Sequence, residues 1–322
     1  MQIRRMLLAS FALAAAFGDI EHAPAQSYPS HPITMIVPLS AGGPIDTIAR
    51  IVADGMQASL GQPIIIENVT GASGSLGVGR VARAAPDGYT LSLGYLGTHV
   101  FNSATYKLSY DVLNDFEPVA LLVTNPLLII TKKAVPAKNL QELIAWLKAN
   151  PGKASQGTTG VGGSSHVAGT YFQRETGTNF QRVPYRGAAP MMQDLLGGQI
   201  DLMFAFTADS LPQIRIGAVK AFAVTAPSRL PAAPDIPTVD EAGLPGFYIS
   251  VWEGIWVPRG TPKDVIGKLN AAIVAALADP HAHQRLADLG QEIFPREQQT
   301  PEALGAFQQA EIEKWWPILK GE

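Results

Sequence analysis

The hydrophobic pattern of this chain falls into repeated units of strand, small-residue loop and helix, and the first unit is the clearest. Ile33 to Val37 is an apolar run of buried-strand length. Ser40-Ala41-Gly42-Gly43-Pro44 follows as a loop. Ile48, Ile51, Val52 and Met56 then recur at helical spacing, with Asp46 expected at the helix N-cap. Residues 63–67 read as a second strand, Ser75 to about Arg83 as a short helix, and residues 90–94 as a third strand after the turn Pro86-Asp87-Gly88. This alternation predicts βαβ units, a parallel sheet and a ligand at the carboxyl ends of its strands.

A second series begins near Val119. The runs 119–123 and 127–131 flank Asn125-Pro126, a kink suited to a strand passing from one domain to another. A helix over 139–149, a glycine-rich stretch over 157–165 and a helix through Phe172 come next. A helix over 189–196 is stopped by Gly197-Gly198, and strands are expected over 201–206 and 220–225. The segment 227–245 carries five prolines and reads as an irregular connection. Residues 248–257 return to a strand pattern. Three helices then begin near Pro262, Pro280 and Pro301, each proline in a first helical turn. The halves echo one another, so the expected architecture is α/β in two lobes, each with a central, mainly parallel sheet. Lobe 1 takes residues 26–124 and 250–322, lobe 2 takes 125–249, and the two crossing segments form a hinge.

Composition narrows the function. The chain has 322 residues, more than one core usually holds. Its apolar fraction of 47% excludes a disordered chain, and its net charge of −3 supplies no basic field for nucleic acid or an anionic membrane surface. There is no cysteine, hence no disulfide, thiolate nucleophile or cysteine metal site. Residues 1–25 have the form of a signal peptide: Arg4 and Arg5, an apolar stretch over 6–17, then Ala23-Pro24-Ala25 before Gln26. Asp19 and Glu21 interrupt the apolar run long before the roughly 20 residues that a membrane span requires. Export by the ordinary secretion route to the periplasm, as a soluble mature protein, is expected.

A strand that turns through glycines into a helix aims unpaired N–H groups at whatever lies above it, an anion site. The 40–46 loop has this form. The stretch Gly157 to Ser164 has the glycine spacing of a phosphate loop, but Gly163 stands where the lysine should be, which argues against nucleoside triphosphates. Its nest, with Ser164 and Ser165, suits carboxylate oxygens. Gly77 to Ala82 fits a dinucleotide fingerprint on paper but lies inside a helix pattern, and Gly71 to Ser75 misses the nucleophile elbow. His166 is expected either to orient the Ser164–Ser165 loop or to touch the ligand. Arg186 offers a planar fork for a carboxylate or is a solvated surface residue. Phe206, at a strand end, is a candidate pocket wall. No credible third metal ligand, no cofactor motif and no acid–base or nucleophile constellation emerges.

Together these pieces resemble the Bug-type solute receptors of tripartite tricarboxylate transporters. The resemblance rests on Ile36-Val37-Pro38 running into Ala41-Gly42-Gly43-Pro44-Ile45-Asp46, on Glu67-Asn68 with Gly71-Ala72-Ser73-Gly74, and on Pro86-Asp87-Gly88-Tyr89-Thr90-Leu91. It continues through Gly97-Thr98-His99, Gly163-Ser164-Ser165-His166, Pro184-Tyr185-Arg186-Gly187 and Asp194-Leu195-Leu196-Gly197-Gly198-Gln199, in order over the mature chain. It implies a Venus-flytrap fold of the type II-like periplasmic-binding-protein kind, a monomer that closes on a small carboxylate and presents it to a membrane permease. By resemblance the ligand lies between Ser40 to Asp46 and Tyr95 to Thr98 on lobe 1, and Ser164 to His166 and Tyr185 on lobe 2. Many members carry an acid where Ala205 stands. Here Ala205-Phe206-Thr207 removes the charge and adds a ring, so Tyr95, Phe101 and Phe206 are placed near the cleft. The expected ligand is an aromatic dicarboxylate such as terephthalate, with citrate-like or aliphatic dicarboxylates as the alternative. A secreted enzyme acting on a carboxylate and a ligand sensor for a signalling partner are the competing functions.

Overall fold

The structure is a computed structural model that describes residues 28–160 and 162–320. The expected signal peptide therefore lies outside the described residues. β1 (Ile33–Val37) is flanked in parallel by β2 (Ile64–Asn68) and β3 (Thr90–Tyr95). The crossovers are α1 (Pro44–Leu60) and α2 (Ser75–Ala82), so the dinucleotide-like glycines are indeed helical. Pro44 opens α1 at a position where no N–H is needed and its fixed φ suits a helix. Ile48, Ile51, Val52 and Met56 are buried along one face, and Gly61 ends the helix at φ 67°. Asp46 is not the N-cap. Gly43 holds that place because Pro44 starts the helix earlier, and the Asp46 carboxylate instead reaches back to accept the Gly42 N–H at 2.9 Å.

The two runs around Asn125-Pro126 form one strand of 17 residues, β4 (Phe116–Lys132). Pro126 is tolerated because the missing donor falls where β4 changes partners. Up to Pro126 it pairs with β9 (Ser250–Pro258), and from Leu127 it pairs with β7 (Leu202–Phe206) and β8 (Val219–Val224). The Leu127 N–H is taken by Thr225 Oγ1 at 2.9 Å.

Between β4 and β9 the chain builds α3 (Leu140–Ala149), β5 (Ser155–Thr158), α4 (Ser164–Thr176), β6 (Gln181–Pro184), α5 (Ala188–Leu196) and α6 (Thr207–Arg215). Helix α6 was not expected, since Pro212 interrupts its pattern. Strands β6, β5 and β7 are parallel neighbours. Each half thus has a parallel three-strand block, and antiparallel crossing strands join the blocks into one mixed α/β sheet of order β2-β1-β3-β9-β4-β7-β5-β6.

The chain ends with α7 (Lys263–Ala278), α8 (Pro280–Asp288), β10 (Glu292–Ile293) and α9 (Pro301–Leu319). Pro280 and Pro301 occupy first helical turns, whereas Pro262 sits one step outside as the N-cap of α7. Helix α7 packs so closely on α1 that a Cβ at Gly55 would lie 2.5 Å from the Ala276 Cβ. On the other face of the sheet, Trp252 and Trp256 of β9 donate their indole N–H groups to Glu311 at 3.0 Å and Gln308 at 3.1 Å on α9. Strand alternation then turns Val251 and Glu253 to the opposite face. That face carries the site.

Candidate functional site

The carboxyl ends of the two parallel blocks face a shared cavity of about 250 Å³. From the first block, β1 runs through Ser40–Gly43 into α1. From the second, β5 leads to Thr159 and Gly160, and Gly162 and Gly163 stand before α4. Gly43 and Gly163 are both N-caps with extended backbones and no side-chain cap bond. A helix start of this kind directs first-turn N–H groups, and the positive end of the helix dipole, at the cavity.

Side chains hold each loop in shape. Asn68 at the end of β2 donates to Leu39 O and to Asp46 Oδ1, both at 2.9 Å, and Arg50 donates to both Asp46 oxygens at 2.9 and 3.1 Å. Burial by itself would raise the Asp46 pKa. The hydrogen bonds from Arg50, the Gly42 N–H and Asn68 outweigh it and hold the carboxyl below its ordinary value. In the second loop, Ser165 Oγ accepts the Thr159 N–H at 3.0 Å. A Cβ at Gly163 would come 2.5 Å from Thr159 Oγ1, so glycine is required by the tightness of the turn.

Of the expected site residues, the structure brings Ser40, Gly43, Asp46, Tyr95, Ser164 and Phe206 to the cavity wall. Ala41 and Gly42 are exposed and outside the cavity lining. Thr98 is buried behind Tyr95, accepting the Tyr95 N–H at 3.2 Å. Ser165 braces the loop and lines only a small side cavity. His166 is buried beside Arg182, with Nε2 3.3 Å from Nη1, and does not reach the main cavity. Tyr185 donates its hydroxyl to Asp194 at 2.6 Å, and Arg186 is exposed; neither lines the cavity. Phe101 is in the core, edge-on to Trp315 at 5.7 Å.

Sequence reasoning passed over Asn125, Asp209, Glu253 and Gln291, which also line the cavity. The signal was present for one of them. Glu253 is an acid inside the apolar run Val251–Val257, where an unpaired charge is costly. Among the described residues no lysine, arginine or histidine lines the cavity. An anion there is held by N–H groups, hydroxyls and dipoles. Burial, with the Glu253 carboxyl nearby, pushes the Tyr95 phenol up to about 12, so it is a neutral hydrogen-bond donor. Burial likewise raises the Asp209 carboxyl and pushes that of Glu253 well above the usual range. The described residues contain no cluster of three or more metal-ligating side chains and no helix long and apolar enough to cross a membrane.

Two α/β halves joined by crossing strands, with helix N-termini converging on a cavity between them, define a solute-binding protein of the periplasmic type. A solved structure of the periplasmic binding protein BugD is 41% identical, with a TM-score of 0.78, over 91% of this chain and 98% of that one. MatC from Rhodopseudomonas palustris with bound malate is 40% identical, with a TM-score of 0.79, over 91% of this chain and all of the other. A UPF0065 protein from the TAR-I ttuE-ttuC' intergenic region of Agrobacterium vitis is 42% identical over 91% of this chain and 85% of its own length. The model of the tripartite tricarboxylate transporter family receptor matches residues 48–322. The chain belongs to this family. It is a receptor family, not one of enzymes.

Proposed function

We propose that this protein is exported by the signal peptide at 1–25, captures a small dicarboxylate between two lobes and delivers it to the membrane permease of a tripartite carrier. The lobes are residues 26–124 with 250–322, and residues 125–249. They hinge where β4 and β9 cross, and the protein acts as a monomer. The single observation that carries the reading is that two uncapped helix N-termini line one cavity free of cationic side chains. Such a site neutralises a carboxylate at each end with N–H dipoles, so that closure answers to ligand length. The malate bound to MatC supports the ligand class.

The spacer between the carboxylates is the finer point. Tyr95 from the end of β3 and Phe206 from the end of β7 both line the cavity, as do Leu39, Ile45, Val251 and Leu289. These surfaces favour a flat or apolar spacer, as in terephthalate. Titration calorimetry against terephthalate, adipate, succinate, malate and citrate tests this. Tightest binding of terephthalate is expected, and tightest binding of citrate would end the aromatic assignment. Chemical conversion of any of these ligands by the pure protein would overturn the receptor reading itself.

A further inference from the structure

The floor of the cavity holds a carboxyl group whose presence opposite an anion needs explaining. Glu253 lies on β9, in register with Tyr95 of β3 and with Val123 of β4, where the two halves of the sheet are joined. Its residue surface is only 2% exposed, and Oε2 is buried with no hydrogen-bond partner among the described residues. The side chain nonetheless borders the cavity. The other titratable groups at the wall are Tyr95 from β3, Asp46 from α1 and Asp209 from α6. Asp46 is already matched by Arg50 and Asn68. Asp209 is half-buried in the first turn of α6, and burial raises its carboxyl as well, so the Glu253 variants are what separate the two acids. Lys314 and His99 do not line the cavity. His99 is stacked on Trp256 at 3.9 Å, on the far face of the sheet, and Lys314 is bonded to Tyr248 O.

An ionised Glu253 would set a buried, unmatched negative charge against a dianion in a site without a facing cation. Both effects disfavour the charge: desolvation and like-charge repulsion. The protonated acid removes the penalty and gives the carboxyl an O–H donor at the cavity border, with a charge-assisted O–H to carboxylate bond available. We propose that Glu253 is a ligand-binding residue acting as a neutral carboxylic acid, which keeps its proton and donates an O–H hydrogen bond to a carboxylate oxygen of the bound dicarboxylate. Burial pushes the Glu253 carboxyl well above the usual range, towards the protonated form, before the ligand arrives. An anionic ligand beside it strengthens that preference, so ligand binding and proton retention are coupled. The inference rests on the carboxylate reading given above.

Affinity is greatest where free Glu253 keeps its proton and declines as pH rises through the pKa of that group in the free receptor. Titration calorimetry with terephthalate, adipate and succinate between about pH 5.5 and 9 should show this decline, because those ligands stay fully ionised over most of that range. Glu253→Leu should weaken binding at the acid end by about tenfold or more, since the ligand oxygen loses its donor. Glu253→Gln, whose amide also donates, should rescue most of that loss and flatten the pH profile. It should also gain stability over the wild type as pH rises, because a buried acid with a raised pKa costs folding free energy above the ordinary carboxyl range. An infrared difference spectrum should show the protonated carbonyl stretch in the wild type at neutral pH and its absence in Glu253→Gln.

Three results would overturn the inference while leaving the receptor reading intact. One is a pH-independent wild-type affinity with no protonated carbonyl. Another is Glu253→Leu binding as well as wild type while remaining folded by its melting transition. The third is aspartate binding far more tightly than succinate, with the preference erased in Glu253→Gln, which would mark Glu253 as the charged partner of a ligand ammonium. Failure of every carboxylate to bind the wild type would overturn both readings.

Discussion

Asp46→Asn, a substitution of equal size, should be among the costlier changes at the first glycine loop. The Asp46 side chain accepts four hydrogen bonds: Oδ2 takes the Gly42 N–H and Arg50 Nε, and Oδ1 takes Arg50 Nη2 and Asn68 Nδ2. An amide has one oxygen. If its NH₂ replaces Oδ2 it faces two donors, Gly42 N–H and Arg50. If it replaces Oδ1 it faces two others, from Arg50 and Asn68. Either flip therefore breaks two bonds to the carboxylate, one of them from the Arg50 guanidinium, around a carboxyl that is almost fully buried. At about 1–3 kcal/mol for each stranded group, and with a reduction because the Arg50 side chain is 50% exposed and can turn to water, the loss should be about 2–4 kcal/mol. Urea unfolding at neutral pH measures it. The pH dependence gives a second check. The folded carboxyl titrates below its unfolded value, so its stabilisation is complete above the ordinary carboxyl range and is lost as pH falls through the folded pKa. The gap between wild type and variant should therefore narrow in acid. A gap below about 0.5 kcal/mol at neutral pH, the size of an ordinary surface substitution, would refute the bonding account.

Other perturbations separate the roles of neighbouring residues. Ser164→Ala should weaken dicarboxylate binding by about 1 kcal/mol with unfolding unchanged, whereas Ser165→Ala should lower stability by a similar amount through the freed Thr159 N–H. Calorimetry paired with urea unfolding distinguishes the two outcomes. Gly94→Ala would push a methyl to 2.2 Å from the His99 ring and 2.7 Å from Trp256, and should cost about 1–3 kcal/mol or more in the same unfolding assay. Burial depresses the His99 pKa to about 3. Because the unfolded imidazole protonates first, stability should fall as pH drops below about 6.5, with a slope that a His99→Phe variant lacks.

The parts of this fold that were legible in the sequence are those in which one period rules a whole segment. β1, its glycine loop and α1 follow from five apolar residues, a small-residue run and a helical stripe. The two runs around Asn125-Pro126 were legible as a strand passing between the halves, but the absence of a break at Pro126 was not, since only the change of partners at Leu127 lets a proline sit inside the strand. α6 was lost to Pro212, and Asp46 was shifted by the stronger signal of Pro44 two positions earlier. At the site, the facing glycine loops were visible. The directions of individual side chains were not: Tyr185 and His166 lie close in sequence to the loops but bond to Asp194 and Arg182. Glu253 on β9 and Gln291 just before β10 come from far along the chain, so nothing local tied them to Ser40 or Ser164.

The placement of β9 between β3 and β4 has a consequence for biosynthesis. Ser92 of β3 pairs with Trp256, and Thr124 of β4 pairs with Trp252, so both strands wait for a partner from the last third of the chain. Until it emerges, β3 presents an unpaired edge, and Leu91, Leu93 and Val119 lack the neighbours Ile255 and Val257 of their common cluster. The strands β5 to β8 can pair with one another and with the second half of β4 before β9 emerges, but the other half cannot close early. Long-range pairing of this kind is slow to form. A nascent chain of this topology keeps one half of its sheet open for most of its synthesis, and only the arrival of β9 supplies the strand that closes it.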